Sequence, residues 1–172
     1  MSPKGSWIVG FPIYSGCTLL DFAGATQIFS PWVAAGFESV WLAPSRDPVR
    51  TTEGVQVLPS RCFDDPGVID VLFVPGGGKD VGKVMQDPVY VDFVRRAGQA
   101  AHFAGAVCTG AFILAAAGLL DDCEATTYWS QPPFDSGDPA TAPPEVTTAV
   151  HAGQQQFIAS IRKATLEVIG RS

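Results

Sequence analysis

Histidine is scarce, with two residues in a chain of 172, too few to build a metal cluster. The four cysteines, Cys17, Cys62, Cys108 and Cys123, fit neither a CxxC nor a zinc-ligand spacing, so reduced thiols and no bound metal are expected. Basic residues are also few. With 11 Lys+Arg against 17 Asp+Glu, a formal charge of -6 and a pI near 4.7, the chain has the wrong sign for binding a phosphate backbone or an anionic membrane. No apolar run approaches the roughly 20 residues that span a bilayer, and the first residues lack the apolar core of a secretory signal. A soluble, cytoplasmic protein that contacts neither membrane nor nucleic acid is the expectation. Neither GxxxxGK[ST] nor a GxGxxG after the first strand occurs, which excludes the familiar phosphate loops. Internal repeats and domain linkers are missing too, and the 18 glycines and 14 prolines follow no collagen-like period. What remains is 47% apolar and 16% charged, the composition of one globular domain with a sizeable core.

The pattern along the chain alternates strands with helices. Ser6 to Ile13 is an apolar, strand-forming run, and Thr18 to Ala35 spaces its apolar residues as a helix does. Phe37 to Pro44 is a second strand, and Gly54 to Ser60 suits a hairpin or an edge strand. Val68 to Gly78 is a nearly continuous apolar run ending in three glycines, as expected of a central parallel strand. Helical spacing returns over Asp80 to Gln86 and Pro88 to Ala101, with Asp87 placed as N-cap and Pro88 at the first helical position. His102 to Val107 is a short strand, and the run Thr109 to Leu120 is rich in the helix formers Ala and Leu. This alternation predicts an α/β fold with a mostly parallel sheet, whose ligands bind at the carboxyl ends of the strands. Beyond this point the pattern changes. Glu124 to Trp129 reads as one more strand, residues 130–144 as an extended Pro- and Gly-rich loop, and residues 145–170 as a terminal helix with Val146, Val150, Phe157, Ile161 and Val168 on one face. The whole chain, 1–172, is read as a single domain with residues 1–129 as its core.

The sharpest chemical signal is Gly105 to Gly110, GAVCTG. A cysteine between a strand and a helix N-terminus is exposed by the sharp turn, and the helix dipole favours its thiolate. The small neighbours permit a turn like the hydrolase nucleophile elbow, although the spacing differs. The plainer alternative is a buried structural cysteine. PGGG, Pro75 to Gly78, falls at a neighbouring strand end, where its N–H groups can form an oxyanion-type site; most such clusters are only turns. Asp21, amid apolar neighbours near a helix start, suits acid/base work if half-buried, or simply favours the helix dipole. His102 and His151 are not placed as a base for Cys108.

LLDFAGATQIF, VLFVPGGG, AVCTGAFILAAAGLL and ATTYW together resemble the ThiJ/PfpI superfamily, in particular its isonitrile (isocyanide) hydratase branch. QPPFDSGDPATAPPEV, residues 131–146, looks like the tail of those hydratases and distinguishes them from the similar domains of AraC-family transcription regulators. The resemblance implies a flavodoxin-like, class I glutamine amidotransferase-like sandwich and a homodimer. It implies Cys108 as nucleophile, Asp21 as the acidic residue facing it, Thr109 as the residue following it, and Gly77 and Gly78 as the glycine turn at the substrate site. The implied reaction is hydration of an isonitrile to an N-substituted formamide, with no metal or organic cofactor. A non-catalytic ligand-binding or transcription-regulator-like domain is the alternative, without a helix-turn-helix segment for direct DNA contact. A redox-sensing thiol at Cys108 is a further reading. A protease or deglycase is disfavoured, because Thr109 stands where the protease-like branch commonly has histidine. The sequence departs from the family in two ways. Ser130 alone separates Trp129 from Gln131, where the family continues for several tens of residues, and Tyr128 occupies the position of a usual histidine.

Overall fold

The computed structural model describes residues 6–30, 33, 36–121, 123, 125 and 127. The chain divides into two compact units, 1–121 and 122–172, and the first carries the architecture below. The expected loop 130–144, the helix 145–170, His151 and most of the strand Glu124 to Trp129 lie outside the described residues.

Strand β1 (Trp7–Pro12) is almost wholly buried, as its apolar run requires, and pairs in parallel with β2 (Phe37–Ala43) on one side and β6 (Val71–Val74) on the other. Strand β7 (Phe103–Ala106) extends the sheet beyond β6, and β5 (Arg61–Cys62) closes the opposite edge against Leu42 and Ala43. The five-stranded order is β5-β2-β1-β6-β7, all parallel. The order reverses between β1 and β6, the crevice where open α/β sheets bind ligands. Strand β5 was not anticipated: two residues are too few for a periodic signal. Of Gly54 to Ser60 only β4 (Gln56–Val57) is extended, and it pairs antiparallel with β3 (Val49–Arg50) as a small hairpin.

Helix α1 (Leu19–Phe29) crosses from β1 to β2, and its Phe29 stacks on Phe37 at 6.2 Å. The pairing register places Phe37 on the sheet face that carries Trp7 and Phe11. Helix α2 (Val81–Val84) precedes α3 (Pro88–Ala100), whose N-terminus is capped as anticipated, with the Asp87 carboxylate accepting from the N–H groups of Val89 and Tyr90. Helix α3 crosses from β6 to β7 in the opposite direction to α1, and right-handed crossovers therefore set the two on opposite faces. Helix α4 (Gly110–Ala116) packs on α3, β6 and β7. It ends four residues earlier than expected because Gly118, at φ 69°, takes the left-handed conformation that closes the last turn, with its N–H donating to Ala115 O at 2.9 Å.

The core continues into an aromatic cluster. Phe63 stacks on Phe93 at 3.9 Å, Tyr90 meets Tyr14 edge-on, and the buried Tyr90 hydroxyl donates to Pro12 O. Tyr90 thereby ties α3 to the end of β1, beside the crevice.

Candidate functional site

Three loops converge at the carboxyl ends of β1, β6 and β7. Pro75, Gly76 and Gly77 leave β6 buried, and each of the first two N–H groups after the proline is taken by the site. Gly76 N–H donates to Asp21 Oδ2 at 2.9 Å, and Gly77 N–H donates to Thr109 Oγ1 at 3.0 Å. Gly76 O in turn accepts from Thr18 N–H at 2.9 Å, which fixes the approach to α1. The glycines are required sterically. A Cβ on Gly76 would stand 2.7 Å from Thr109 N and 2.9 Å from Cys108 Cβ, and one on Gly77 would stand 2.4 Å from Gly16 O. Gly78 is exposed, with open space around the position of a Cβ.

Cys108 sits at φ 54°, the sole non-glycine residue at positive φ among those described. An L-residue adopts this region at a cost and mostly where a site demands it, which fits the elbow turn. Gly110 permits the elbow to close, since a Cβ there would lie 2.4 Å from Val74 O. The sulfur is half-buried and receives hydrogen bonds from the backbone N–H and the hydroxyl of Thr109. Thr109 is therefore a relay: its buried side chain accepts from Gly77 and donates to Cys108.

The expected preference for thiolate at the helix N-terminus is not what the surroundings produce. Burial, and secondarily the Asp21 charge, push the Cys108 thiol above its ordinary value, while the two Thr109 hydrogen bonds pull it down by less. Helix α4, at seven residues, is shorter than the run Thr109 to Leu120 suggests, and burial of the sulfur is the largest influence on the thiol. Asp21, half-buried in the first turn of α1, is likewise raised, first by burial, with Glu53 adding to the effect and the Gly76 N–H opposing it. Asp21 therefore keeps its proton to higher pH than an ordinary aspartic acid, and it does so beside a thiol.

The other thiols are placed differently. Cys17 is fully buried and pushed up to about 11 by burial, while Cys62 is half-buried on the sheet edge and Cys123 is exposed. His102 stands at the amino end of β7, against Trp7 at 5.5 Å and 3.9 Å from Asp70, at the far end of the strand from Cys108. Among the described residues, no three His, Cys, Asp or Glu side chains converge as metal ligands, and no helix is long and apolar enough to cross a membrane. A cavity of 320 Å³ opens beside the ends of β1 and β2, lined by residues that include Tyr14, Val49, Val84 and Tyr90; neither Cys108 nor Asp21 lines it. Sequence reasoning did not single out Gly76, whose N–H meets Asp21 and whose lack of a Cβ leaves room for Cys108, from its neighbours. Nothing in three consecutive glycines marks the one whose N–H meets the carboxylate.

Comparison with known proteins gives three findings. Residues 9–135 match the model of the DJ-1/PfpI family. Isonitrile hydratase of Pseudomonas putida is 35% identical over 122 residues, which are 71% of this chain and 52% of that protein; the HTH-type transcriptional regulator GbdR of Pseudomonas aeruginosa is 30% identical over 70% of this chain and 34% of its own length. The crystal structure of a ThiJ/PfpI family protein from Pseudomonas syringae superposes with a TM-score of 0.67 at 30% identity, covering 74% of this chain and 52% of the other. The chain thus spans about half the length of isonitrile hydratase. The tail expected to be diagnostic lies mostly beyond residue 135, outside the family match.

Proposed function

Because the chain belongs to the DJ-1/PfpI family, we propose that it hydrates an isonitrile to an N-substituted formamide, with Cys108 as nucleophile and Asp21 as its proton donor and acceptor. The observation that carries this reading is the pairing of a half-buried carboxyl, inclined to keep its proton, with a thiol on a strained elbow, both fixed by the Gly76–Gly77 turn. The 35% identity to isonitrile hydratase supports the substrate class.

The chemistry balances without a redox partner. The Cys108 thiolate attacks the terminal carbon of R–NC, forming the C–S bond, and that carbon takes a proton from Asp21 to give a thioimidate, R–N=CH–S–Cys. Water adds to the same carbon while its proton passes through Asp21 to the nitrogen, giving R–NH–CH(OH)–S–Cys. The C–S bond then breaks as Asp21 takes the hydroxyl proton, returning the thiolate and the protonated carboxyl and releasing R–NH–CHO. In this reading Thr109 steadies the sulfur's negative charge through its two hydrogen bonds, and Gly77 and Gly78 form the glycine turn that meets substrate, Gly77 bonded to Thr109 and Gly78 with open space around it. The same reading carries a small-molecule substrate, a homodimer, no cofactor and a single domain over 1–172.

The test is formamide production from a simple alkyl or aryl isonitrile by the purified chain and its Cys108→Ala form. Turnover that falls at least about a thousandfold in the variant supports the reading, and undiminished turnover removes the mechanism. The likeness to GbdR favours one second reading, a ligand-binding domain without chemistry. A folded wild-type chain that binds an isonitrile and forms no formamide selects it.

A further inference from the structure

The hairpin β3–β4 is remote from Cys108 in sequence, yet its turn is fastened to the segment that delivers Asp21. Gly16 N–H donates to Arg50 O at 2.8 Å, the Thr52 hydroxyl donates to Gly16 O at 2.6 Å, and Thr52 N–H donates to Cys17 O at 3.0 Å. One further bond reaches the helix itself. Leu19 N–H, the first of α1, donates to Glu53 Oε2 at 3.0 Å. Thr18, at the N-cap position, makes no side-chain cap bond, and one of the orphan N–H groups of the first turn, that of Leu19, is instead taken by a carboxylate from another element. Gly54, at φ 86°, closes the turn that presents Glu53, with its N–H donating to Thr51 O at 3.0 Å. Asp21 follows two residues after the capped N–H.

We propose that Glu53 is a positioning residue for the Asp21–Cys108 pair: it caps α1 from the β3–β4 turn and thereby holds the Asp21 carboxylate on Gly76 N–H, facing Cys108. This inference rests on the reading of Cys108 and Asp21 as the reacting pair, but it is tested without turnover. An anionic cap also suits the positive end of α1, and Leu19 N–H holds the Glu53 carboxyl below the usual carboxylate range. The titratable groups facing Asp21 are Glu53 from the hairpin, Tyr14 and Cys17 from the β1–α1 loop, and Cys108 from the elbow; Asp80, paired with Lys83 at 2.7 Å, faces Tyr14 behind them. No cation stands among those facing groups, so the position of Asp21 sets how strongly carboxylate charge opposes ionisation of Cys108.

The experiment measures iodoacetamide alkylation of Cys108 against pH, resolved by peptide mass spectrometry from Cys17, Cys62 and Cys123, in the full chain. Glu53→Ala loosens the cap and lets Asp21 leave Gly76, so alkylation at pH 8 quickens about two- to threefold, as it does in Asp21→Asn. Glu53→Gln keeps an oxygen for Leu19 N–H and retains the wild-type profile. In the Asp21→Asn background, Glu53→Ala adds nothing further. An unchanged profile in Glu53→Ala, an additive effect in the double variant, or a Glu53→Gln profile that follows Glu53→Ala overturns the proposal. Circular dichroism and thermal melts confirm that each variant is folded. Failure of wild type to form formamide would overturn the hydratase reading alone, because the alkylation profile does not depend on it.

Discussion

Replacing Gly76 with alanine probes the site where its three loops are tightest. The added methyl would lie 2.7 Å from Thr109 N, 2.7 Å from Thr109 Oγ1 and 2.9 Å from Cys108 Cβ, against 3.4 Å for ordinary contact. Two of these atoms belong to the elbow backbone or its first side-chain carbon and cannot rotate aside. The third can move only by giving up the Gly77 N–H bond to Thr109. Overpacking of this kind costs about 1–3 kcal/mol, and loss of the hydrogen bond adds about 1 kcal/mol. For a domain of this size each kcal/mol lowers Tm by about 2–4 °C, so a drop of several degrees is expected in a thermal melt followed by circular dichroism. Displacing Cys108 by a fraction of an ångström also lowers formamide production, on the order of 100-fold for a shift of about 1 Å. Gly78→Ala is the internal control: with open space at its Cβ, it changes stability by less than about 0.5 kcal/mol. Equal melting temperatures for Gly76→Ala and Gly78→Ala would refute the packing argument.

Asp21→Asn removes a carboxyl whose folded-state pKa is raised by burial. The folded state holds that proton above the unfolded value of about 3.9, so stability falls as pH rises through the interval. The asparagine oxygen still accepts from Gly76, and the variant is more stable than wild type at pH 7, with the difference narrowing toward pH 4 in urea titrations; a less stable variant at pH 7 contradicts this. Asp70, 6% exposed, accepts from Ile8 N–H at 2.8 Å, and Asp70→Ala leaves that donor unpaired at a cost of about 1–3 kcal/mol, read as a lower urea midpoint. An unchanged midpoint rejects that role. Tyr90 is raised well above the ordinary tyrosine value by burial, so its share of stability is intact below about pH 10 and is lost as pH climbs beyond it. Tyr90→Phe is less stable than wild type at pH 7, since Pro12 O loses its donor, and the gap closes in alkaline solution; a gap that widens above pH 10 disproves the linkage.

The fold was legible where residues repeat a period long enough to read. The apolar runs of β1 and β6, the Asp87–Pro88 start of α3 and the strand–cysteine–helix order around Cys108 all follow from local chemistry. The two-residue β5 was not, because its existence depends on the end of β2 lying alongside; α4 ends just before Gly118, whose position after the alanine run is the usual stop signal for a helix and takes precedence over the helical propensity of the leucines beyond it. At the site, Cys108 and Asp21 were visible as residue types, but their electrostatics were not. A short helix N-terminus argues for thiolate, whereas burial and a neighbouring carboxylate, both products of the tertiary fold, argue more strongly against it. Glu53 illustrates the same limit: an exposed glutamate in a hairpin turn acquires meaning only when Leu19 N–H is found against it.

The central claim is that the Cys108 sulfur bonds to the isonitrile carbon. Its most direct test is intact-protein and peptide mass spectrometry on samples acid-quenched within the first turnovers with a simple alkyl isonitrile. The account predicts an adduct of the isonitrile's mass on the Cys108 peptide, which appears before formamide, decays as substrate is consumed and is absent from Cys108→Ala. Formamide production with no adduct at Cys108, or with the adduct on Cys62 or Cys123 instead, would contradict it.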